Sequence, residues 1–407
     1  MKIFFDPEIH SKYSRAVSKD MTPENIALWS LKKGIDVAGT GDFTHPAWIK
    51  GLKEKLEPAE SGIFKLKNKF NAGSSGARFL LQGEVSCIYS KNGKVRRAHN
   101  LIFAPSFEAA DKINKSLSLV GNIRSDGRPI LGLDVKELLK ILKNSSPEAY
   151  LIPAHVWTPW FGMFGSKSGF NSLEECFDEL TPEIFAVETG LSSDPSMNRR
   201  ISFLDKISLI SGSDAHSLRK IGREATVVNV GAVSYINIFG AIKSRDPKKF
   251  LFTVEFFPEE GKYHYDGHRD KKHSQTPEET KKSGGRCLKC GRPVTVGVMS
   301  RISDLADKKR PEGWKPAKSI PFKKLIPLEE IISYVNNVGV SSKKVRSIYD
   351  ALIKKIGNEF IILLESSREQ IVGASGDCIL ADTILKVREG RVKIEPGYDG
   401  EYGRVSI

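Results

Sequence analysis

The chain reads as an α/β protein built around a parallel barrel, and three observations carry that reading. Short apolar runs alternate with helical segments through residues 1–257. Ligand-type side chains collect where those runs end. Five of the eight histidines (His10, His45, His99, His155 and His216) fall at or beside the run ends, while His264, His268 and His273 lie together further on. Side chains at the C-terminal ends of parallel strands converge on one face of a barrel, whereas histidines scattered for packing would not sort this way.

In chain order, the run at 2–5 opens into Asp6-Pro7-Glu8-Ile9-His10, with Glu8 and His10 two apart. Thr22-Pro23-Glu24 starts a helix whose apolar positions are Ile26, Leu28, Trp29 and Leu31. The run at 35–38 leads to Asp42 and His45, and the run at 78–81 leads to Gly83-Glu84. Lys91-Asn92-Gly93-Lys94 predicts a hairpin running into His99. The run at 149–152 ends in Pro153-Ala154-His155, the run at 184–187 in Glu188, and the run at 207–210 in Ser211-Gly212-Ser213-Asp214-Ala215-His216. A carboxylate and an imidazole two apart on extended backbone point to one side, which suits a borderline divalent metal. Read alone, Asp214 is as good a helix cap; the recurrence of the pattern argues for a metal.

At 407 residues the chain has room for two or three domains. Its 40% apolar and 28% charged residues are those of an ordinary soluble protein, and no apolar run approaches membrane-spanning length. The first residues hold no apolar secretion signal, and the cysteines number five. The expectation is a cytoplasmic, nucleoid-associated protein without a membrane. Net charge is +14, and between Gly261 and Leu325 there are 17 basic against 7 acidic residues. Basic charge concentrated in this way calls for a polyanion such as DNA.

Composition changes after Phe257-Pro258, which predicts domains at 1–257, 258–326 and 327–407. Cys287-Leu288-Lys289-Cys290-Gly291 has the form of a zinc knuckle, with His268 and His273 as the remaining ligands and His264 as a spare. An unmetallated or redox cysteine pair is the alternative. Cys87, Cys176 and Cys378 read as small buried residues. Lys308, Lys309, Arg310, Lys315, Lys318, Lys323 and Lys324 surround Trp314, a mixture suited to a nucleic-acid backbone and a stacked base. After His155 comes an aromatic stretch with Trp157, Trp160 and Phe161, where glycines at 162, 165 and 169 point to an adaptable loop. It reads as a base pocket or wedge, or else as a packed lid. Beyond residue 327 a smaller helix-rich α+β domain is expected: Val345, Ile348, Tyr349, Leu352 and Ile353 share a helical face, and residues 360–364 read as a buried strand.

The order Glu8-x-His10, Asp42, Gly83-Glu84, His99, His155, Asp214-x-His216 resembles the polymerase-and-histidinol-phosphatase (PHP) phosphoesterases. The phrases Ile9-His10-Ser11-Lys12-Tyr13-Ser14-Arg15, Lys262-Tyr263-His264-Tyr265-Asp266-Gly267-His268-Arg269 and Glu395-Pro396-Gly397-Tyr398-Asp399-Gly400 narrow the resemblance to the endonuclease Q family of DNA repair nucleases. The resemblance implies a distorted (β/α)7 barrel with up to three divalent metals (Zn, Mg or Mn). In it Glu8, His10, Glu84 and Asp214 hold one metal; Glu84, His99 and His155 hold a second; Asp42 and His216, helped by His45, serve a third. Asp214, Glu84 and His10 would be catalytic, Arg269 would contact DNA, and one further zinc would be structural. The implied reaction is cleavage 5′ to uracil, hypoxanthine or xanthine in DNA, with abasic sites as further candidates. Two departures stand out. Glu8 replaces the usual histidine, which favours the harder Mn or Mg, and Asp42 is followed by Phe43 where PHP enzymes usually carry a histidine. The rival readings are a phosphatase for a small ester and a non-catalytic DNA-binding scaffold. The last residues show no clear sliding-clamp pattern.

Overall fold

Strand β1 (Lys2–Asp6) pairs in parallel with β2 (Val37–Gly39), which pairs in parallel with β3 (Arg78–Lys91). These relations come from a computed structural model that describes residues 1–407 except 72, 74, 75, 317 and 318. Asn92 and Gly93 both hold positive φ (54° and 71°) between β3 and β4 (Lys94–Ala104). A two-residue turn of this kind returns the chain antiparallel. Accordingly β4 runs antiparallel to β3, with Lys94 opposite Lys91, and antiparallel to β5 (Tyr150–Pro153). β6 (Ala186–Glu188) and β7 (Ser208–Ile210) form a parallel pair. The Val156 amide donates to the Glu188 carbonyl at 3.1 Å, and an Ile9–Ala215 bridge links the residues after β7 to those after β1. On its other edge β1 pairs antiparallel with β8 (Ala225–Asn229), itself antiparallel to β9 (Phe250–Glu255).

The all-parallel expectation is thus corrected: the large central sheet is mixed, because the Asn-Gly hairpin reverses the chain inside it. Glu84 and His99 consequently lie within long strands rather than at strand ends, Glu84 opposite Leu101 and His99 opposite Ser86.

Helices cover the sheet. Thr22 caps α1 (Pro23–Lys33) by accepting the Asn25 amide. Ile113 and Leu117 of α2 (Phe107–Val120), with Leu138 and Leu142 of α3 (Val135–Ser145), are wholly buried. Each such side chain contributes about 1.5–3 kcal/mol.

Towards the C-terminus, α4 (Leu328–Asn336), α5 (Lys343–Ile356), α6 (Glu359–Leu364), α7 (Arg368–Ser375) and α8 (Cys378–Arg388) pack together. Val345, Tyr349 and Leu352 are buried, as their spacing requires. The strand expected at 360–364 is helix α6, because Asn358 caps it through the Ile361 amide and an unbroken apolar run carries no period of its own. Cys378 opens α8 and is exposed, unlike Cys87 and Cys176.

Strands Asp266–His268 and His273–Gln275 pair antiparallel, His268 opposite His273. The chain end returns to this segment: the Gly397 amide donates to Glu259 O at 2.8 Å, Tyr265 to Gly397 O at 3.0 Å and Gly400 to Lys262 O at 2.9 Å. The phrases at 262–269 and 395–400 therefore form one structural unit. Among the described residues no helix is long and apolar enough to cross a membrane.

Candidate metal centre

His10 sits at the hub. Its Nδ1 is 3.1 Å from Asp42 Oδ1, while Asp42 Oδ2 accepts the Ser11 amide (2.7 Å), Ser11 Oγ (2.6 Å) and Ser14 Oγ (2.8 Å). Asp42 thus stands behind His10 and fixes its tautomer, leaving Nε2 to face the centre. That Nε2 lies 3.1 Å from Glu84 Oε2 and 3.2 Å from Asp214 Oδ1. His99 Nδ1 lies 2.7 Å from Glu84 Oε1 and 3.2 Å from His155 Nε2, whose ring is held by Thr158 Oγ1 at 2.9 Å from Nδ1. His216 Nδ1 lies 3.4 Å from Asp214 Oδ1.

Three overlapping groups result: Glu8, His10 and Glu84; Glu84, His99 and His155; and His10, Asp214 and His216, each with ligand atoms within 4.8 Å of one another. Asp42, His155 and Asp214 all hold left-handed backbone, φ 45°, 29° and 46°. Such conformations cost roughly 1 kcal/mol or more each and gather at functional sites.

Six atoms decide what the centre is for. Glu8 Oε1 and Oε2, His10 Nε2, Glu84 Oε1, Glu188 Oε1 and Asp214 Oδ1 are buried without a hydrogen-bond partner. Their hydrogen-bonding capacity is not met by the chain. Orphaning one such atom costs about 1–3 kcal/mol, more when it is charged. Divalent cations would satisfy the five of these atoms that belong to the three groups, so the residues fit a metal cluster.

The titration behaviour shows the same tension. Burial, then the charges of Glu188, Asp214 and Glu84, push the Glu8 carboxyl well above its usual range, and burial lifts Glu188 to about 7. Burial would raise Glu84 as well, but Arg128 and His99 outweigh it and hold that carboxylate well below the usual range. Burial lowers His99 to about 4. For His10 the same burial is overcome by Asp42, which raises the imidazole.

Arg128 and Glu188 were missed as site residues. Arg128 Nη1 meets Glu84 Oε2 at 3.1 Å, and Glu188 Oε2 accepts the His155 amide at 2.8 Å. Glu188 carried the strand-end signal but no neighbouring histidine, and Arg128 carried no signal. His45 stands outside the three groups, with its Nε2 against Arg124 O at 3.0 Å and its ring stacked on Tyr13 at 4.3 Å.

The aromatic loop is fastened rather than adaptable. Trp157 is 1% exposed and donates Nε1–H to Asn198 Oδ1 at 2.7 Å, so it is a core side chain and presents no face to DNA. Phe161 lies 4.5 Å from the His99 ring and its carbonyl accepts the His99 amide at 2.9 Å, while Trp160 meets Tyr263 edge-on at 5.1 Å. A Cβ at Gly162, Gly165 or Gly169 would come within 2.6, 2.3 and 2.4 Å of loop backbone. These glycines permit a tight coil, and Arg301 locks it by donating to Phe164 O and Phe170 O at 2.9 Å.

In the basic segment His268 Nδ1 lies 3.1 Å from Cys290 Sγ, and His268, Cys287 and Cys290 form a further possible metal group. His273, opposite His268, keeps Nε2 buried and unpartnered but stands outside that trio. Arg310 is engaged by Asp205 through both guanidinium nitrogens (2.7 and 2.6 Å) and lies over Trp314 at 4.0 Å, so it is a fastener of the linker. Lys324 pairs with Asp194 at 2.9 Å. Arg269, Lys308, Lys309 and Lys315 are exposed, and Lys318 lies outside the described residues.

A family model described as the MJ0043 C-terminal domain matches residues 327–391. The chain is 34% identical over 256 residues to the uncharacterized protein MJ0043 of Methanocaldococcus jannaschii, covering 62% of this chain but only 31% of that protein, about a third of its length. It is 28% identical over 418 residues to the uncharacterized protein YqxK of Bacillus subtilis, covering 99% of each. Among solved structures, the lesion-specific endonuclease PfuEndoQ of Pyrococcus furiosus superposes with a TM-score of 0.87 at 30% identity, over 100% of this chain and 96% of that one. Endonuclease Q bound to a 27-mer duplex with an abasic lesion at its active site superposes with a TM-score of 0.85 at 31% identity, over 100% and 97%. Likeness at this identity, end to end in both chains, has one reading: the chain belongs to the endonuclease Q family of DNA-cleaving hydrolases.

Proposed function

We propose that the protein is a metal-dependent DNA repair endonuclease that hydrolyses the phosphodiester 5′ to uracil, hypoxanthine or xanthine, and at abasic sites. The observation that carries the reading is the set of six buried, unpartnered ligand atoms converging at the centre. The relative whose complex holds an abasic duplex supports the substrate class. On this reading the central sheet is a distorted (β/α)7 PHP barrel. Glu8, His10, Glu84 and Asp214 would hold one ion; Glu84, His99 and His155 would hold a second; Asp214 and His216 would serve a third, with Asp42 behind His10. Residues 258–326 carry a structural zinc on His268, Cys287 and Cys290, completed by His273, and residues 327–407 bind DNA. We place its work in the cytoplasm, on nucleoid DNA.

Mg, Mn or Zn bound there would acidify a water and polarise the phosphodiester. The chain supplies the rest. Asp42 keeps the His10 Nε2 lone pair towards the centre, and Thr158 orients His155 in the same manner. His99, lowered to about 4 by burial, stays neutral and able to ligate near neutral pH. The Phe161 ring over His99 keeps bulk water from that side.

The test uses a 5′-labelled duplex with one uracil, a second with one abasic site and an undamaged control, each with Mg²⁺ or Mn²⁺ and with EDTA. A metal-dependent cut 5′ of the lesion, absent in Asp214→Ala, is the expected result. Intact lesion duplexes with every metal would refute the nuclease reading, and a chromogenic phosphomonoester would then test the phosphatase alternative.

A further inference from the structure

We infer that Arg128 is a catalytic residue that binds the scissile phosphate, an inference that rests on the phosphodiesterase reading above.

The loop that carries Arg128 is pinned on both sides. The Gly127 amide donates to Tyr13 O at 3.1 Å, Thr44 Oγ1 donates to Gly127 O at 3.1 Å, and the Arg128 amide donates to Asp126 Oδ1 at 3.0 Å. After it, Pro129 O accepts the Ser86 amide at 3.0 Å. A Cβ at Gly127 would lie 2.3 Å from both Asp42 Oδ2 and Ser14 Oγ, so the backbone rests directly on the carboxylate that orients His10. A side chain longer than hydrogen at 127 would push Arg128 away. The loop therefore delivers one guanidinium to the metal ligands and holds it there.

That guanidinium is only partly used. Nη1 meets Glu84 Oε2 at 3.1 Å, and among the described residues no second hydrogen-bond partner is found. An arginine carries five N–H donors in a planar fork matched to phosphate oxygens. The Arg128 side chain keeps 26% exposure although Glu84 is fully buried, so it reaches from the buried carboxylate to the mouth of the site. Glu84 belongs to two of the three ligand groups, so a phosphodiester held at the metals must lie within a few ångströms of this cation. The carboxylates around it are Glu8, Glu84, Glu188 and Asp214; Arg223 is turned to the Ser213 and Asp214 carbonyls, so Arg128 is the guanidinium held against a ligand carboxylate itself, where a fixed cation favours an anionic backbone. Lys33 shows the contrast: it is 2% exposed and closed off by Glu359, as a structural pair is.

The test compares Mn²⁺-loaded wild type, Arg128→Ala and Arg128→Lys. Metal per chain is measured by mass spectrometry, inorganic phosphate affinity by calorimetry, and cleavage of the abasic duplex by single turnover. Metal content is expected to be unchanged. Phosphate affinity should fall at least tenfold in Arg128→Ala and less in Arg128→Lys, and cleavage by about 10²-fold in Arg128→Ala. Millimolar guanidinium should restore part of the Arg128→Ala rate and leave wild type unaffected. Undiminished phosphate affinity in Arg128→Ala overturns the inference, as does loss of metal, which would make Arg128 a support for the ligands. Absence of phosphate binding by wild type overturns it too. If wild type cuts no lesion duplex, the nuclease reading fails by itself, and phosphate affinity still decides the role of Arg128 in either direction.

Discussion

Two buried glutamates show the difference between charge that holds the fold and charge that awaits a ligand. Glu359 joins the C-terminal helices to α1: its Oε2 accepts Lys33 Nζ at 2.6 Å and Tyr349 OH at 2.9 Å, and its Oε1 accepts the Leu328 amide at 2.9 Å. Both oxygens are satisfied by groups the chain itself provides. Glu84 is equally buried, yet its Oε1 has no hydrogen-bond partner, and neither oxygen of its neighbour Glu8 has one. A concentration of such deficits on neighbouring ligand-type side chains is what a bound cation would relieve.

The largest effect should come from removing the shared ligand. Glu84→Ala is expected to lower single-turnover cleavage of a lesion duplex by at least about 10³-fold, since one carboxylate serves two groups. Its melting temperature without metal should stay close to wild type. A large drop there would mean that Glu84, like Glu359, is structural.

Glu359→Ala should do the reverse. It strands a buried Lys33 and should cost about 3–5 kcal/mol in urea unfolding, while the folded fraction keeps its cleavage rate. A milder loss belongs to Asp42→Asn, which disturbs the orientation of His10 and should weaken metal binding by roughly 10–100-fold.

Acid sharpens the comparison further. Burial and mutual repulsion lift Glu8, and burial lifts Glu188 to about 7, so below that pH the centre takes up protons that a metal must displace. Metal affinity, measured by calorimetry, should therefore weaken as pH falls from about 8 to 6, with protons released on binding. The smallest effect expected is on stability: Glu8→Gln replaces a carboxyl whose ionisation burial and its acidic neighbours oppose, and should raise the melting temperature of the metal-free protein slightly at alkaline pH, where a structural carboxylate would lower it.

The side chains that gather at the centre were largely legible because histidine is rare in this chain and recurs beside the apolar runs. Strand direction was not, although the residues that overturned it, Asn92 and Gly93, were already read as a hairpin. Their consequence for Glu84 and His99, which sit mid-strand across from that turn, needed the sheet register. Glycine misled at 162, 165 and 169, where the sequence cannot distinguish freedom from close approach. Trp157 and Arg310 looked like DNA contacts because aromatic and basic residues do so, but Asn198 and Asp205 take them into the fold from 41 and 105 positions away. Arg128 could not be found at all, since a loop arginine acquires meaning only from the Gly127 backbone lying against Asp42.

The most direct test of the central claim is the metal content of wild type and Glu84→Ala, purified alike, dialysed and analysed by plasma mass spectrometry. A shared Cys287→Ser background would remove the ion of the basic segment. The account predicts more than one divalent ion per chain in the parent and a clear loss in Glu84→Ala. Equal content in both, or none in the parent, would contradict it.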